Sequence, residues 1–172
     1  MSPKVFVSYV HSPDTHKNQV RDFAAFLEMH GVDVQLDSWT DTDRRKSWDS
    51  WILEKITTTD YILLVASRLY REVFEGKAPS GKRLGSQAEA ALIRELLYAD
   101  RQKWMPKILP IVLPGGKVKD IPLIMQPTGA DHYIINDFTP AGADKLLRVL
   151  FNSPRHLRPP RGNPPHLPPL SR

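Results

Sequence analysis

The stretch that decides the fold is Asp60-Tyr61-Ile62-Leu63-Leu64-Val65-Ala66-Ser67, within a sequence of 172 residues. Its six central residues, 61–66, form an apolar run that no charged or small polar residue interrupts. An unbroken run of this length is typical of a strand that is covered on both faces, as the strands of parallel sheets are. We therefore expect residues 61–66 to lie at the centre of a parallel sheet.

Strand-like and helix-like segments alternate on both sides of this run. Short runs of β-branched and other apolar residues predict four more strands, at 5–10, 32–36, 108–113 and 132–135. Apolar residues at helical spacing predict helices at 12–31, 48–56, 86–101 and 142–151, with Ser12 as the cap of the first and Pro13 as its first helical residue. The stretch 67–85 is interpreted as a polar connection.

The alternation of strands and helices predicts an α/β fold in which a parallel sheet lies between two layers of helices. Five strands favour a flavodoxin-like three-layer sandwich with the strand order 2-1-3-4-5. Ligands of such sheets bind beyond the carboxyl ends of the strands. Side chains that directly follow the first three strands are therefore the first candidates for a functional site.

Residues 1–153 are expected to form one domain, and residues 154–172 a tail outside it. The tail holds 7 of the 16 prolines and four arginines, and it has no acidic residue. Such a composition stops helices and favours an extended polyproline conformation. We interpret the tail as a disordered linker or tether, with a PxxP-like ligand as the alternative.

The distribution of charge argues against a nucleic-acid-binding domain. The formal net charge of the chain is +5, but without the four tail arginines only 20 of the 24 lysines and arginines remain, against all 19 acidic residues. A nucleic-acid-binding domain usually carries its own basic face. We therefore predict no nucleic-acid partner.

Missing residue types and motifs exclude several kinds of chemistry. The chain has no cysteine, which excludes a disulfide, a thiolate metal ligand and a thiol nucleophile. It also lacks the GxGxxG, Walker, GxSxG and HExxH patterns, so a glycine-rich phosphate loop, a serine hydrolase and a zinc hydrolase are not expected. No apolar run is long enough for a membrane span and the start does not resemble a signal peptide, so we expect a cytoplasmic protein.

Glu89 is the acidic residue with the most unusual position. On the predicted helix 86–101 it shares a face with the apolar residues Leu92, Ile93 and Leu96. One interpretation is a functional carboxylate at the edge of the sheet. The other is an ordinary acid in the first helical turn that complements the helix dipole.

The polar stretch after the second strand, and the end of the first strand, supply further candidates. Trp39 either stacks on a ligand ring or packs against the core, whereas Trp48 continues the apolar face of the next helix and is expected in the core. The charged residues between the two tryptophans serve partner recognition or are simply solvated, and they include Asp41, Asp43, Arg44, Arg45 and Lys46. At the end of the first strand, Ser8 and His11 can meet a polar ligand, while Tyr9 points to the other face of the sheet.

Several blocks of the sequence together resemble a known family. They are Lys4-Val5-Phe6-Val7-Ser8-Tyr9, Leu36-Asp37-Ser38-Trp39, Trp48, Asp60-Tyr61-Ile62-Leu63-Leu64-Val65, Ser67 with Tyr70, and Gly85-Ser86-Gln87-Ala88-Glu89 before Leu92-Ile93. Over about residues 3–152 the chain resembles the SEFIR domain of prokaryotic type, a branch of the Toll/interleukin receptor (TIR) superfamily. This resemblance implies a TIR-like fold, in agreement with the α/β prediction.

The resemblance implies one of two activities. Similar domains either self-associate as non-catalytic signalling modules or, in bacterial antiviral immunity, hydrolyse NAD+ once they have assembled. In the hydrolases NAD+ is the substrate, no cofactor or metal is needed, and a sensor domain often follows. The catalytic glutamate falls on Glu89. The residues that the resemblance places around NAD+ are Ser8, Tyr9, His11, Asp37, Trp39, Ser67 and Tyr70.

The resemblance also assigns a loop that gates the pocket and makes contacts between copies. That loop falls on residues 37–47 with Trp48, and its charged members are Asp41, Asp43, Arg44, Arg45 and Lys46. The chain departs from the family pattern at Gly85-Ser86-Gln87-Ala88, which lacks the usual glycine-rich or aromatic approach to the glutamate, and in the loop, which lacks a common glycine.

Overall fold

A computed structural model describes residues 2–39, 48–77, 84–126 and 131–171, and only the backbone of residues 48, 49, 84–86 and 88. Its strands form one parallel sheet in the order β2-β1-β3-β4-β5, which confirms the predicted flavodoxin-like order. The strands are β1 Lys4–Ser8, β2 Asp33–Gln35, β3 Tyr61–Val65, β4 Ile108–Val112 and β5 Tyr133–Ile134.

Six α-helices belong to the described part of the chain. They are α1 Asp14–Met29, α2 Trp48–Thr58, α3 Arg68–Phe74, α4 Leu84–Ala99, α5 Arg101–Trp104 and α6 Asp144–Leu150. Helices α1 and α6 cover one face of the sheet, and α2, α3 and α4 cover the other, as the two clusters of buried residues show. The result is the three-layer sandwich that the sequence predicts.

Strand β3 joins these two hydrophobic cores. Leu63 and Val65 belong to the core under α1 and α6, whereas Ile62 and Leu64 belong to the core under α2, α3 and α4. All four side chains are at most 1 % exposed. Since successive side chains of a strand point to opposite faces, only a strand covered on both sides can bury all of them.

Helix α1 begins one residue later than the sequence indicates. Pro13 was expected as the first helical residue behind a Ser12 cap, but Pro13 itself is the N-cap residue and no side chain caps the helix. The prediction was wrong because Pro13 has an extended backbone, with φ −72° and ψ 175°. The other end agrees, since the chain turns after His30 at Gly31, whose φ of +87° suits a residue without a Cβ atom.

The stretch 67–85 contains a helix that sequence analysis missed. Ser67 caps α3 by accepting a hydrogen bond from the backbone N–H of Tyr70, and Tyr70, Val73 and Phe74 bury one face of the helix. This face is spaced at i, i+3 and i+4, but it spans only seven residues, too few for a clear periodic signal.

The predicted helix 86–101 has different bounds in the structure, where two helices cover this stretch. Helix α4 starts at Leu84 and ends at Ala99, and Asp100 then caps the separate short helix α5 by accepting a hydrogen bond from the N–H of Lys103. The earlier start places Glu89 in the second turn of α4, and no acidic residue lies in the first turn. The dipole interpretation of Glu89 is therefore wrong, because that effect fades beyond the first turn.

The two edges of the sheet carry different parts of the molecule. At the carboxyl edge, Ser8 ends β1, Asp37 opens a 3-10 turn after β2, and Ser67 follows β3. At the amino edge, Leu150 to Asn152 at the end of α6 share a shallow cleft with residues 2, 3, 60, 61, 106 and 107, which precede or begin β1, β3 and β4. The tail from residue 154 to 171 has neither helix nor strand and is exposed throughout.

Shortening a side chain in β3 should lower the stability of the whole domain. We expect Leu63→Ala to reduce the free energy of unfolding by about 3 kcal/mol, because Leu63 is fully buried and its loss leaves a cavity between the sheet and α1. Urea unfolding followed by circular dichroism measures the change. Leu123→Ala is the matched control, since Leu123 is 68 % exposed and its truncation should cost less than about 0.5 kcal/mol. Equal losses in the two variants would contradict the role given to β3.

Candidate functional site

A buried carboxylate, Glu89, lies at the carboxyl edge of the sheet. Helix α4 directs it toward the end of β1, where Ser8 lies on the same face of the sheet as Phe6. Glu89 is 6 % exposed and Ser8 is fully buried. The Ser8 hydroxyl donates a hydrogen bond to Glu89 Oε1. The structure therefore brings together two of the residues that the sequence assigned to one site.

Tyr70 extends this contact into a chain of three side chains. Its hydroxyl lies 2.7 Å from Ser8 Oγ, and its position is fixed by α3, which Ser67 caps. A serine hydroxyl has one hydrogen, and Ser8 gives it to Glu89, so the Tyr70 hydroxyl must be the donor to Ser8. Burial, together with the charge of Glu89, raises the pKa of Tyr70 well above its ordinary value of 10.0. Tyr70 therefore stays protonated and can donate this hydrogen bond to Ser8.

A second buried carboxylate, Asp37, organises a neighbouring network. Asp37 is 4 % exposed and accepts a hydrogen bond from the Tyr9 hydroxyl at 3.1 Å. His11 Nε2 lies 2.6 Å from the other carboxylate oxygen, and the His11 ring stacks on Tyr9 with a centroid distance of 4.3 Å. Ser38 Oγ lies 3.1 Å from the same Tyr9 hydroxyl. The 3-10 turn after β2 and the end of β1 together build this network.

The hydroxyl of Tyr9 lies within the electrostatic reach of both carboxylates. Its pKa is raised above the ordinary 10.0, first by burial, then by the charge of Asp37, and also by the charge of Glu89. Tyr9 therefore stays protonated and donates to Asp37. The sequence leaves Tyr9 between core packing and ligand contact. In the structure its ring is 2 % exposed in the core, and its hydroxyl belongs to the Asp37 network.

Among the described side chains, those of Ser67 and Trp39 do not join these networks. Ser67 caps α3 and lines a different cleft. Trp39 ends the turn after β2 and is 44 % exposed. Trp48 is the first residue of α2, but its side chain is outside the described part. Asp41, Asp43, Arg44, Arg45 and Lys46 lie outside the described residues.

A separate cleft of about 420 Å³ opens between the first turns of α1 and the loops after β3 and β4. Its polar lining includes Thr15, His16, Gln19, Ser67, Arg68 and Asp120. His16 Nε2 is buried without a hydrogen-bond partner among the described residues, and burial lowers the pKa of this imidazole from 6.5. Sequence analysis did not select His16, because it lies between polar residues at the start of an amphipathic helix.

Neither a metal site nor a membrane helix is found where the structure describes the chain. Within 2–39, 48–77, 84–126 and 131–171, no three histidine, aspartate or glutamate side chains are grouped closely enough to hold a metal ion. In those same ranges, none of the helices combines the length and the apolar character needed to cross a bilayer.

Comparison with known proteins gives a consistent result. The sequence model of the SEFIR domain family matches residues 3–141. Among solved structures, the crystal structure of a prokaryotic SEFIR domain is 26 % identical, with a TM-score of 0.63 over 94 % of this chain and 100 % of that one.

A metazoan TIR-STING receptor from C. gigas, solved in complex with 2′,3′-cGAMP, is 17 % identical with a TM-score of 0.55. The match covers 85 % of this chain and 38 % of the receptor, and at this identity it shows a shared fold. No curated protein matches the chain.

The hydrogen bonds that link Tyr70, Ser8 and Glu89 predict that the hydroxyls of Tyr70 and Ser8 are energetically coupled. We expect Ser8→Ala and Tyr70→Phe each to lower the free energy of unfolding by about 1 to 2 kcal/mol, and the double variant to lose less than the sum by at least about 0.5 kcal/mol. The reason is that each single variant leaves the other partner buried with a lost hydrogen bond. Urea unfolding of the four proteins measures the cycle, with Tyr98→Phe as a control at a 71 % exposed tyrosine. Strict additivity would show that the contact between Ser8 and Tyr70 is not made.

The half-buried imidazole of His16, with its buried Nε2 atom, predicts a dependence of stability on pH. Its folded-state pKa lies below 6.5, so below pH 6.5 the unfolded chain binds a proton that the folded chain does not, and the free energy of unfolding falls as the pH is lowered. We expect His16→Gln to flatten this decline between about pH 7.5 and about pH 5.5 in urea unfolding. His156→Gln, in the exposed tail, should retain the decline of the native chain. An unchanged slope in His16→Gln would remove His16 as its source.

Proposed function

We propose that this chain, which belongs to the SEFIR domain family, hydrolyses NAD+ to nicotinamide and ADP-ribose when copies of it associate. Membership of this family makes the chain a signalling domain of TIR type, and domains of that type make homotypic contacts. The observation that carries the enzymatic proposal is the buried Glu89 carboxylate, held by a hydroxyl chain at the carboxyl edge of the sheet. This is the edge at which α/β sheets bind ligands.

The reaction is chemically suited to a single carboxylate. The bond between ribose C1′ and the nicotinamide nitrogen breaks with its electron pair passing to the positively charged ring, so nicotinamide leaves as a neutral molecule and needs no general acid. Positive charge develops on the ribose, as in other glycosidic cleavages. A carboxylate in a pocket of low polarity stabilises that charge more strongly than it could in water. Water then adds its oxygen to C1′ and releases one proton, which gives ADP-ribose.

The hydrogen-bond networks around Glu89 and Asp37 have different roles in this proposal. Ser8 and Tyr70 fix the position of Glu89 Oε1, so the carboxylate needs no reorganisation when charge develops. Tyr9 and His11 hold Asp37 in place, and with Trp39 they are the groups that we propose to contact NAD+. The wider proposal is an activity in bacterial antiviral immunity, triggered through a sensor segment that follows the tail.

A second function, a non-catalytic module that acts only through contacts between copies, is favoured by one observation. The hydrogen bond from the fully buried Ser8 ties Glu89 to β1, and such a bond also stabilises the packing of α4 on the sheet. In that case Glu89 is a structural residue.

Turnover of NAD+ by the native chain and by two glutamine variants tests the proposal. We expect the concentrated protein, with a crowding agent, to consume NAD+ and release nicotinamide, as measured by liquid chromatography. Glu89→Gln should reduce the rate at least about 100-fold, because it removes the charge that stabilises the transition state. Glu95→Gln, on an exposed position of the same helix, should retain the native rate.

Light scattering and thermal melting of all three proteins complete the experiment. Native protein that associates but leaves NAD+ intact would favour the non-catalytic module. A Glu89→Gln variant that is folded and still active would refute the role of Glu89.

A further inference from the structure

Residues 154–171 form a cationic segment outside the folded domain. Every one of these residues is exposed, and the stretch 154–172 contains four arginines and no acid. The folded part carries nearly balanced charge, so the positive charge of the molecule is concentrated here. A concentration of charge on one exposed segment points to an anionic partner for that segment.

The arginines follow a regular spacing. Arg155, Arg158 and Arg161 lie three residues apart, among seven prolines in the stretch 154–172. The polyproline helix that such a composition favours has three residues per turn and a rise of about 3.1 Å per residue. In that conformation the three arginines lie on one edge, with each Cα atom about 9 Å from the next.

The same edge continues with apolar residues. Counting on in steps of three gives Pro164, Leu167 and Leu170. Leu167 and Leu170 are 81 % and 95 % exposed, and Leu157 on a neighbouring edge is 84 % exposed. One edge thus combines cationic and apolar side chains, which is the combination that binds at the boundary between lipid headgroups and acyl chains.

We propose that residues 154–172 bind the surface of an anionic lipid bilayer and hold the folded domain beside it. Phosphate-bearing headgroups attract the arginines, and the leucines insert at the level of the first acyl carbons. The tail has no phenylalanine, tyrosine or tryptophan on which unpaired bases could stack, but it has three exposed leucines that a lipid surface can accept, so its composition favours lipid over single-stranded nucleic acid.

The structure shows how the segment is attached to the domain. Arg155 donates a hydrogen bond to Asp144 in the first turn of α6, and Arg148 binds the same carboxylate at 3.0 Å. Hydrogen bonds from Arg155 and then Arg148 hold the pKa of Asp144 below its ordinary value, so this anchor remains charged near neutral pH. Arg158 and Arg161 form no ion pair with any residue in the described ranges. Two of the three arginines of the edge are therefore available, and Lys145 lines the same cleft as Arg148 and Arg155.

The point of attachment leaves the candidate site accessible. The tail leaves the domain after α6, whose end lies at the amino edge of the sheet, whereas Glu89 lies at the carboxyl edge. A domain held at a bilayer through its tail can therefore present Glu89 to the aqueous side.

Co-sedimentation of the 172-residue protein with vesicles tests the proposal. The vesicles contain phosphatidylcholine alone, or phosphatidylcholine with about one third phosphatidylglycerol. We expect binding to the anionic vesicles only, with weaker binding at higher salt. Each free arginine near such a surface strengthens binding about fivefold, so the triple variant Arg155→Gln, Arg158→Gln and Arg161→Gln, which removes two free arginines, should bind at least about 25-fold more weakly.

A matched variant tests whether binding depends on the charge of this segment or on the net charge of the whole protein. Arg68→Gln, Lys117→Gln and Lys119→Gln remove the same charge near the carboxyl edge and should retain native binding within about threefold. A third variant, with Leu157, Leu167 and Leu170 changed to serine, should also bind the anionic vesicles more weakly.

Three results would overturn the proposal. They are no sedimentation of the native protein with anionic vesicles, equal losses in the two triple charge variants, and tighter binding of a single-stranded oligonucleotide that displaces the vesicles. None of these measurements depends on NAD+ turnover, so the proposal and the enzymatic one fail or succeed separately.

Discussion

Leu63 and Leu64 are neighbours on β3, they point to opposite faces of the sheet, and both are completely buried. Such a strand is stable only if helices cover both faces, because each exposed leucine would forfeit about 1.5 to 3 kcal/mol of hydrophobic stabilisation. Parallel strands joined by crossover helices provide this cover. The same crossovers bring the carboxyl ends of β1, β2 and β3 to one edge, so the burial of β3 also determines where the candidate site can form.

The fold could be predicted from the sequence where a local pattern and a long-range constraint agree. The apolar run at 61–66 and the alternation around it specify the strand order, which the structure confirms, and the SEFIR resemblance is confirmed by the family match. Helix α3 was missed because its apolar face is only two turns long and depends on tertiary packing. The predicted start of α1 is one residue too early because the fixed φ of proline fits both an extended N-cap residue and the first helical turn. Only ψ, which is 175° at Pro13, distinguishes the two positions.

In the candidate site, too, a local sequence pattern identifies some residues, whereas only tertiary packing brings their partners close. Glu89 was notable in the sequence because an acid interrupts an apolar face, but its partners Ser8 and Tyr70 are 81 and 19 residues away. No periodicity connects such positions. The predicted topology places them near one edge of the sheet, and the family resemblance assigns them to one site. The bond between Asp37 and His11 likewise depends on how the turn after β2 meets the end of β1. The His16 cleft lacks any sequence signal, since His16 is brought beside the loops after β3 and β4, and its Nε2 atom buried, only by tertiary packing.

The cap that Ser67 places on α3 has a consequence for how the site responds to substitution at a distance. Ser67 orients the first turn of a short helix, the helix carries Tyr70, and the Tyr70 hydroxyl reaches Glu89 through Ser8. A helix of seven residues has little stability of its own, so its geometry depends on that cap and on its packing. The alignment of the buried carboxylate is thus sensitive to a hydroxyl that never touches it. In directed evolution of this domain, position 67 is a place where the geometry around Glu89 can change without any substitution among the groups that contact it.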